Sequence, residues 1–314
     1  MTLGKLLRLS LIAAFAAAAC ASPGSRPAAS TGLKVVATTT IVGDVVKAVG
    51  GDAIELSVML PIGADPHSFE ATPQDVARVA QADVVFVNGV GLEEFLEPLI
   101  ENAGGQAQLV SVSENLPPLE FEGEPEHGDE RAEDGDAHGV DPHVWFDPAN
   151  VMIWVDNIQR ALSALDTANA GAYAANAAAY KTELEALHIW IKEQVAAIPS
   201  ERRLLVTNHD VFGYFAARYG FMIVASIFPA GGADASPSAQ TASQLVATIK
   251  AAGVKAVFSE NTLNPDLADT IAREAGVKIV SELYTDSLGP ADSPAATYIG
   301  LMRFDVQIIV EALK

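Results

Sequence analysis

Cysteine is almost absent from this sequence of 314 residues, with Cys20 its single example. No intrachain disulfide can therefore form, even in an oxidising compartment. Basic residues are scarce as well. Lys and Arg number 19 against 40 Asp and Glu, a net charge of −21. That balance argues against a nucleic-acid partner, because phosphate neutralisation needs clustered Lys and Arg. It also sets up a field that attracts cations. The apolar run from Leu9 to Ala19 falls short of the roughly 20 residues that a membrane span requires. Nor does the chain contain an HExxH zinc motif, a GxSxG elbow or a P-loop. These absences argue against an enzyme. What remains is half apolar by composition, enough for one large domain or two modest ones.

The first residues read as an export signal. Lys5 and Arg8 precede the apolar run, and small residues lead to Cys20, the layout of a secretory signal over 1–20. "AAAC" at 17–20 resembles a bacterial lipobox, with Ala17 where leucine is usual, so Cys20 is the expected lipidation site. Residues 21–32 are mainly Pro, Gly, Ser and Ala, a composition suited to a flexible tether. The expected location is the extracytoplasmic side of the cell membrane, as an anchored lipoprotein facing the periplasm or the cell surface.

Beyond the tether, short β-branched runs alternate with helical stretches. "KVVATT", "IELSVML", "DVVFVNG" and "AQLVSVS" read as strands. "IVGDVVKAVGG", "TPQDVARVAQA" and "LEEFLEPLIENAGG" read as helices, the second with Thr72 as N-cap and Pro73 behind it. From Glu120 to Asp141, inclusive, stand ten acidic residues against one arginine, so 117–140 is expected to be a surface loop. One helix is expected from Asn150 to Leu165, and a second, Ala-rich, over about 168–197. Tyr173, Tyr180, Leu184, Leu187 and Ile191 lie at helical spacing along it. A second alternating series follows, including a helix with Ser236 as N-cap and a last helix near 293–312. The expected class is α/β: two lobes, 33–165 and 200–314, each a mainly parallel sheet flanked by helices. A long rigid helix within 166–199 joins them, with a cleft between the lobes.

Four of the chemically active residues fall at related places. His67 follows the strand at 54–60, His209 the strand near 203–207, and Asp286 the strand at 277–282, while His143 sits in "DPHVWFDP" just before a helix. Ligands of open α/β sheets bind at the carboxyl ends of the strands. Three imidazoles and a carboxylate make a complete tetrahedral shell for Zn²⁺. Glu260, closing the strand "KAVFSE", is a candidate to orient one of the histidines from behind. His188, inside the long helix, is expected to be structural or exposed.

"DPHSFEATPQDV", "NGVGLEEFLEPLI", "DPHVWFDP", "TNHDVFGYFAARYG" and "LYTDSLG", in this order, resemble the metal-binding solute-binding proteins of zinc and manganese ABC importers, the cluster A-I family. The likeness extends from about residue 33 to the C-terminus. It implies that His67, His143, His209 and Asp286 hold the ion, and that the ion passes to a membrane permease driven by a cytoplasmic ATPase. The protein is expected to act as a monomer. Manganese-type members tend to carry Glu at the third ligand position, where this chain has His209. Imidazole suits zinc, so Zn²⁺ is the expected cargo and Mn²⁺ the alternative. Zinc-type members often insert an acidic, His-bearing loop, and His127 and His138 are the corresponding candidates for weak metal capture. A zinc hydrolase and a surface adhesin are the readings from other classes. A closed four-ligand shell leaves no open position for catalytic water, which counts against the hydrolase.

Overall fold

Two four-stranded parallel sheets repeat one winding pattern. The computed structural model describes residues 32–93, 106–119, 140–228 and 237–314. The first sheet contains β1 (Leu33–Ala37), β2 (Ile54–Val58), β3 (Val84–Val87) and β4 (Gln108–Ser111), in the order β2-β1-β3-β4. The second contains β5 (Leu204–Thr207), β6 (Met222–Ser226), β7 (Ala256–Glu260) and β8 (Lys278–Leu283), in the order β6-β5-β7-β8. Every pairing is parallel. The β3 run Val-Val-Phe-Val is buried throughout, as a strand covered on both faces requires. In each sheet the winding direction reverses beside the first strand, between β1 and β3 and again between β5 and β7. That switch point is where such sheets leave a crevice at their carboxyl ends.

The helices start where their caps allow. Thr39 caps α1 (Thr40–Gly50) by accepting from Val42 N. Thr72 and Asp75 cap each other's backbone at α2 (Pro73–Gln81), with Pro73 at the first helical position. Asp147 caps α3 (Pro148–Leu165) by accepting from Ala149 N at 2.9 Å. The cap of α6 (Ala239–Ala252) is Ser238, not Ser236, because it is the Ser238 hydroxyl that accepts from Thr241 N, at 3.1 Å. Helices α5 (Gly213–Tyr219) and α7 (Asp266–Ala275) end on left-handed glycines, Gly220 and Gly276. The chain closes with α8 (Tyr298–Leu313). The expected helix over 92–105 lies outside the described residues apart from Leu92 and Glu93, which sit in a turn. The export signal with Cys20, almost all of the tether, and the acidic loop with His127 and His138 also lie outside them.

The long helix is α4 (Ala170–Val195), 26 residues and therefore about 39 Å long. A turn after Asp166 separates it from α3. Asp166 accepts there from Asn169 Nδ2 at 2.6 Å and from the Tyr173 hydroxyl at 2.9 Å. The buried side chains of α4 are Tyr173, Ala177, Tyr180, Leu184, Leu187, Ile191 and Val195. This three-and-four spacing marks one apolar stripe. The stripe belongs to a continuous core that takes in Val35 and Phe86 of the first sheet and Leu205 and Phe258 of the second. Smaller cores lie under each sheet separately. His188 on α4 pairs its Nδ1 with the Tyr219 hydroxyl at 3.0 Å, a packing role. Because one core serves both sheets, truncating it should be felt by both. Leu187→Ala is expected to cost about 2–5 kcal/mol of stability. Urea unfolding should remain one transition, with far-UV circular dichroism and tryptophan fluorescence coinciding. Two separated transitions would contradict a shared core.

Candidate metal centre

The segment 141–148, Asp-Pro-His-Val-Trp-Phe-Asp-Pro, is buried at every residue. Trp145 sends its Nε1–H to Thr285 O at 3.0 Å, and the Tyr298 hydroxyl donates to Trp145 O at 2.7 Å. Phe146 packs on Phe212 with ring centroids 4.5 Å apart. Asp147 holds Arg218, with Nε at 2.6 Å, while also capping α3. Val144–Phe146 form a single 3-10 turn. These anchors fix the backbone on which His143 stands.

The Asp-Pro-His tripeptide occurs twice, and both copies fold alike. Asp141 Oδ1 accepts from His143 N at 2.9 Å, and Asp65 Oδ1 accepts from His67 N at 2.9 Å. The aspartate closes an Asx turn while proline stiffens it. In the second copy the carboxylate also reaches the ring, with Asp141 Oδ1 2.7 Å from His143 Nδ1. Donation from Nδ1 turns the Nε2 lone pair of His143 toward the cleft. Asp141 was not singled out from the sequence, although the repeated tripeptide was the signal that could have found it.

The second sheet supplies the facing groups. His209 follows β5, and Glu260 is the last residue of β7. Glu260 Oε1 accepts from His209 N at 3.0 Å, and its Oε2 lies 2.5 Å from His209 Nδ1. The ring contact is a close, buried ion pair. Thr285 Oγ1 donates to Glu260 Oε2 at 3.1 Å. Beside Glu260 the β7–β8 register slips: Phe258 faces Val280, but Glu260 faces Leu283. The extra residue on β8 is a bulge, a device that re-aims the chain beside a site. Asp286 follows at once.

The four candidate ligands meet. One donor atom from each of His67, His143, His209 and Asp286 can be chosen so that all lie within 4.8 Å of one another. His67 Nε2 and His143 Nε2 are 3.1 Å apart, and His143 Nε2 and His209 Nε2 are 3.3 Å apart. Asp286 Oδ2 is 3.3 Å from His209 Nε2. His143, His209 and Asp286 are at most 3% exposed, whereas His67 is half-buried. Asp286 Oδ1 is a buried oxygen with no hydrogen-bond donor. Such an atom is costly to bury unless a cation takes it up.

The electrostatics are those of a site charged with protons. Burial pushes His143 well below the usual imidazole range, and the neighbouring His209 and His67 push the same way. Burial would also lower His209, but the carboxylates of Glu260 and Asp286 outweigh it and raise the group to about 10. Burial raises Asp286 to about 7, with His209 opposing and Glu260 adding to the rise. Burial likewise raises Asp141 to about 8, opposed by the His143 N–H and helped by Asp210.

A fold of two parallel-sheet lobes with three imidazoles and a carboxylate between them defines a metal-binding protein of the solute-capturing kind. The chain belongs to the zinc-uptake complex component A family, described as periplasmic, which it matches over residues 35–312. The family is one of substrate-binding components of metal ABC importers, not of enzymes. A manganese-binding lipoprotein, MntA, from Halalkalibacterium halodurans is 36% identical over 283 residues, 90% of this chain and 89% of that protein. An iron ABC transporter substrate-binding lipoprotein, MtsA, from Streptococcus pyogenes serotype M1 is 32% identical over 99% of both chains. The periplasmic zinc binding protein TroA from Treponema pallidum superposes with a TM-score of 0.80 at 28% identity, covering 90% of this chain and 99% of that one. A Mn-bound periplasmic metal binding protein from Candidatus Liberibacter asiaticus does so with a TM-score of 0.76 at 28% identity, with the same coverage.

A divalent cation entering this cluster must displace the His209 proton, since that imidazole stays protonated up to about pH 10. Affinity should therefore rise roughly tenfold per pH unit between pH 7.5 and 9. Below about pH 7, where Asp286 also takes up a proton, the slope should steepen. Calorimetry in buffers of different ionisation enthalpy should show proton release on binding. A flat affinity profile from pH 6 to 9 would refute this charge arrangement.

Proposed function

We propose that the protein captures Zn²⁺ at His67, His143, His209 and Asp286 and delivers it to an ABC permease with its cytoplasmic ATPase. The observation that carries this is the convergence of four donor atoms within 4.8 Å. The spacings of 3.1 and 3.3 Å between imidazole nitrogens are close to the roughly 3.3 Å edge of a tetrahedron with Zn–N bonds of about 2.05 Å. Imidazole also favours zinc over manganese, which prefers oxygen. Glu260 and Asp141 hold the far sides of His209 and His143 and so orient their Nε2 atoms. The functional lobes are 33–165 and 200–314, with 166–199 as the rigid connection. Lipidation at Cys20 fits the lipoprotein names of the MntA and MtsA relatives. No described helix is long and apolar enough to cross a membrane. His127 and His138 of the acidic loop capture zinc weakly ahead of the main site. Deleting 120–139 should slow loading and leave the affinity of the cleft unchanged.

Manganese is the second reading, favoured by the 36% identical relative named for that metal. Competition between Zn²⁺ and Mn²⁺ on wild type and His209→Glu distinguishes the two. Wild type is expected to prefer zinc, and the variant to lose at least roughly tenfold of that preference as an imidazole gives way to oxygen. Wild-type preference for Mn²⁺ would reverse the assignment. Loss of binding in neither His143→Ala nor Asp286→Ala would remove these residues from the site.

A further inference from the structure

Of the four clustered residues His67 alone has its side chain partly open to solvent, and it stands on a loop well past the end of β2. The sheet bonding that precedes it stops at Leu60, whose N–H reaches Thr38 O at 2.9 Å. The next helix begins only at Pro73. Between them the chain turns at Pro61–Ala64, with Ala64 N donating to Pro61 O at 3.1 Å. Gly63 takes φ +81, and no atom lies within 4 Å of where its Cβ would stand. That left-handed backbone favours glycine, and the space around it is open. Ile62 beside it is 53% exposed. Such a loop resists displacement only as well as its ties hold it.

One tie crosses the cleft. Gly63 N–H donates to Ser287 Oγ at 2.7 Å. Ser287 is 1% exposed and directly follows Asp286. Its hydroxyl hydrogen goes to Leu288 O at 3.1 Å, which leaves the oxygen lone pairs to accept. Thr40 Oγ1, at the start of α1, accepts from Leu288 N at 2.8 Å and lies 3.4 Å from Ser287 Oγ. Trp145 Nε1–H grips Thr285 O from the first lobe, while Tyr284 N donates to Asp305 of α8 at 3.0 Å. Residues 284–288 are thus a strap fixed to both lobes, with Asp286 at its centre. The Gly63 bond fastens the exposed loop of His67 to that fixed strap.

We propose that Ser287 is a positioning residue: its hydroxyl clasps the His67 loop to the Asp286 strap and sets the rate at which bound metal leaves the cleft. The inference rests on the proposed zinc site. In this proposal the ion enters while the loop is undocked, and the clasp closes behind it. Departure requires His67 to move away, so the clasp must break first. Removing one well-placed hydrogen bond should therefore act on release and not on capture.

The test is a stopped-flow chase of zinc-loaded protein with excess chelator, run on wild type and Ser287→Ala. The variant is expected to release zinc about tenfold faster, with association changed by less than about twofold. Amide exchange at Gly63 in the zinc-loaded wild type gives a second reading that needs no variant. It is expected to be slow and to become slower on loading. Release at the wild-type rate from folded Ser287→Ala overturns the clasp, as does Gly63 exchange as fast as that of an unbonded loop amide. Wild-type protein that takes up no zinc overturns the site itself, and the clasp with it.

Discussion

Three imidazole nitrogens and a carboxylate meet in a place where water can reach only one of them well, and the surrounding structure answers to that constraint. Lone pairs 3.1 to 3.3 Å apart repel unless a proton or a cation lies between them. Glu260 resolves the conflict on one side by holding His209 charged, and burial resolves it on the other by keeping His143 neutral. The unloaded cleft therefore carries a proton where the ion belongs. A doubly charged ion that can share all four atoms displaces it with a large electrostatic gain, and a singly charged or weakly ligating ion gains much less.

The shared core explains how this arrangement keeps its spacing. A long helix whose stripe belongs to a core shared by both sheets ties the lobes together, so the positions of His143, His209 and Asp286 are set by core packing over a wide span of the molecule. Interiors packed this densely do not deform smoothly. The loop with Gly63 and His67 is held less completely: it stands between the end of the sheet and the first turn of α2, with Ala64 and Phe69 partly buried against the small core of the first sheet.

Much of this was legible in the sequence because the physics is local. Buried parallel strands such as Val84–Val87 need continuous apolar runs. Thr72-Pro73 and Asp147-Pro148 announce helix starts, and the apolar spacing from Tyr173 to Ile191 announces a buried helical stripe. That His67, His209 and Asp286 lie at one edge followed from strands ending there, whereas His143 came from the loop before α3. What could not be read depended on contacts between distant segments. The bulge in β8 that brings Asp286 beside Glu260 is a property of pairing, and Ser287 looks like any loop serine until Gly63 is beside it. At α6 the local signal was ambiguous: Ser236 and Ser238 both flank Pro237, and only the reach of a hydroxyl to Thr241 N decides between them.

The repeated tripeptide shows how identical local chemistry yields unequal ligands. In both copies aspartate accepts from the histidine N–H and proline limits the turn. Asp141, 1% exposed, adds a bond from the same oxygen to the His143 ring. Asp65 instead gives its second oxygen to the Ser68 hydroxyl at 2.8 Å, a local bond near the surface. Burial makes the difference. Within the protein a carboxylate has few donors to choose from and takes the imidazole, and at the surface it has nearer competitors. One Asp-Pro-His thus becomes a fixed wall of the site. The other becomes its partly open side, so of the four clustered residues three are fully buried and His67 alone is partly open to solvent.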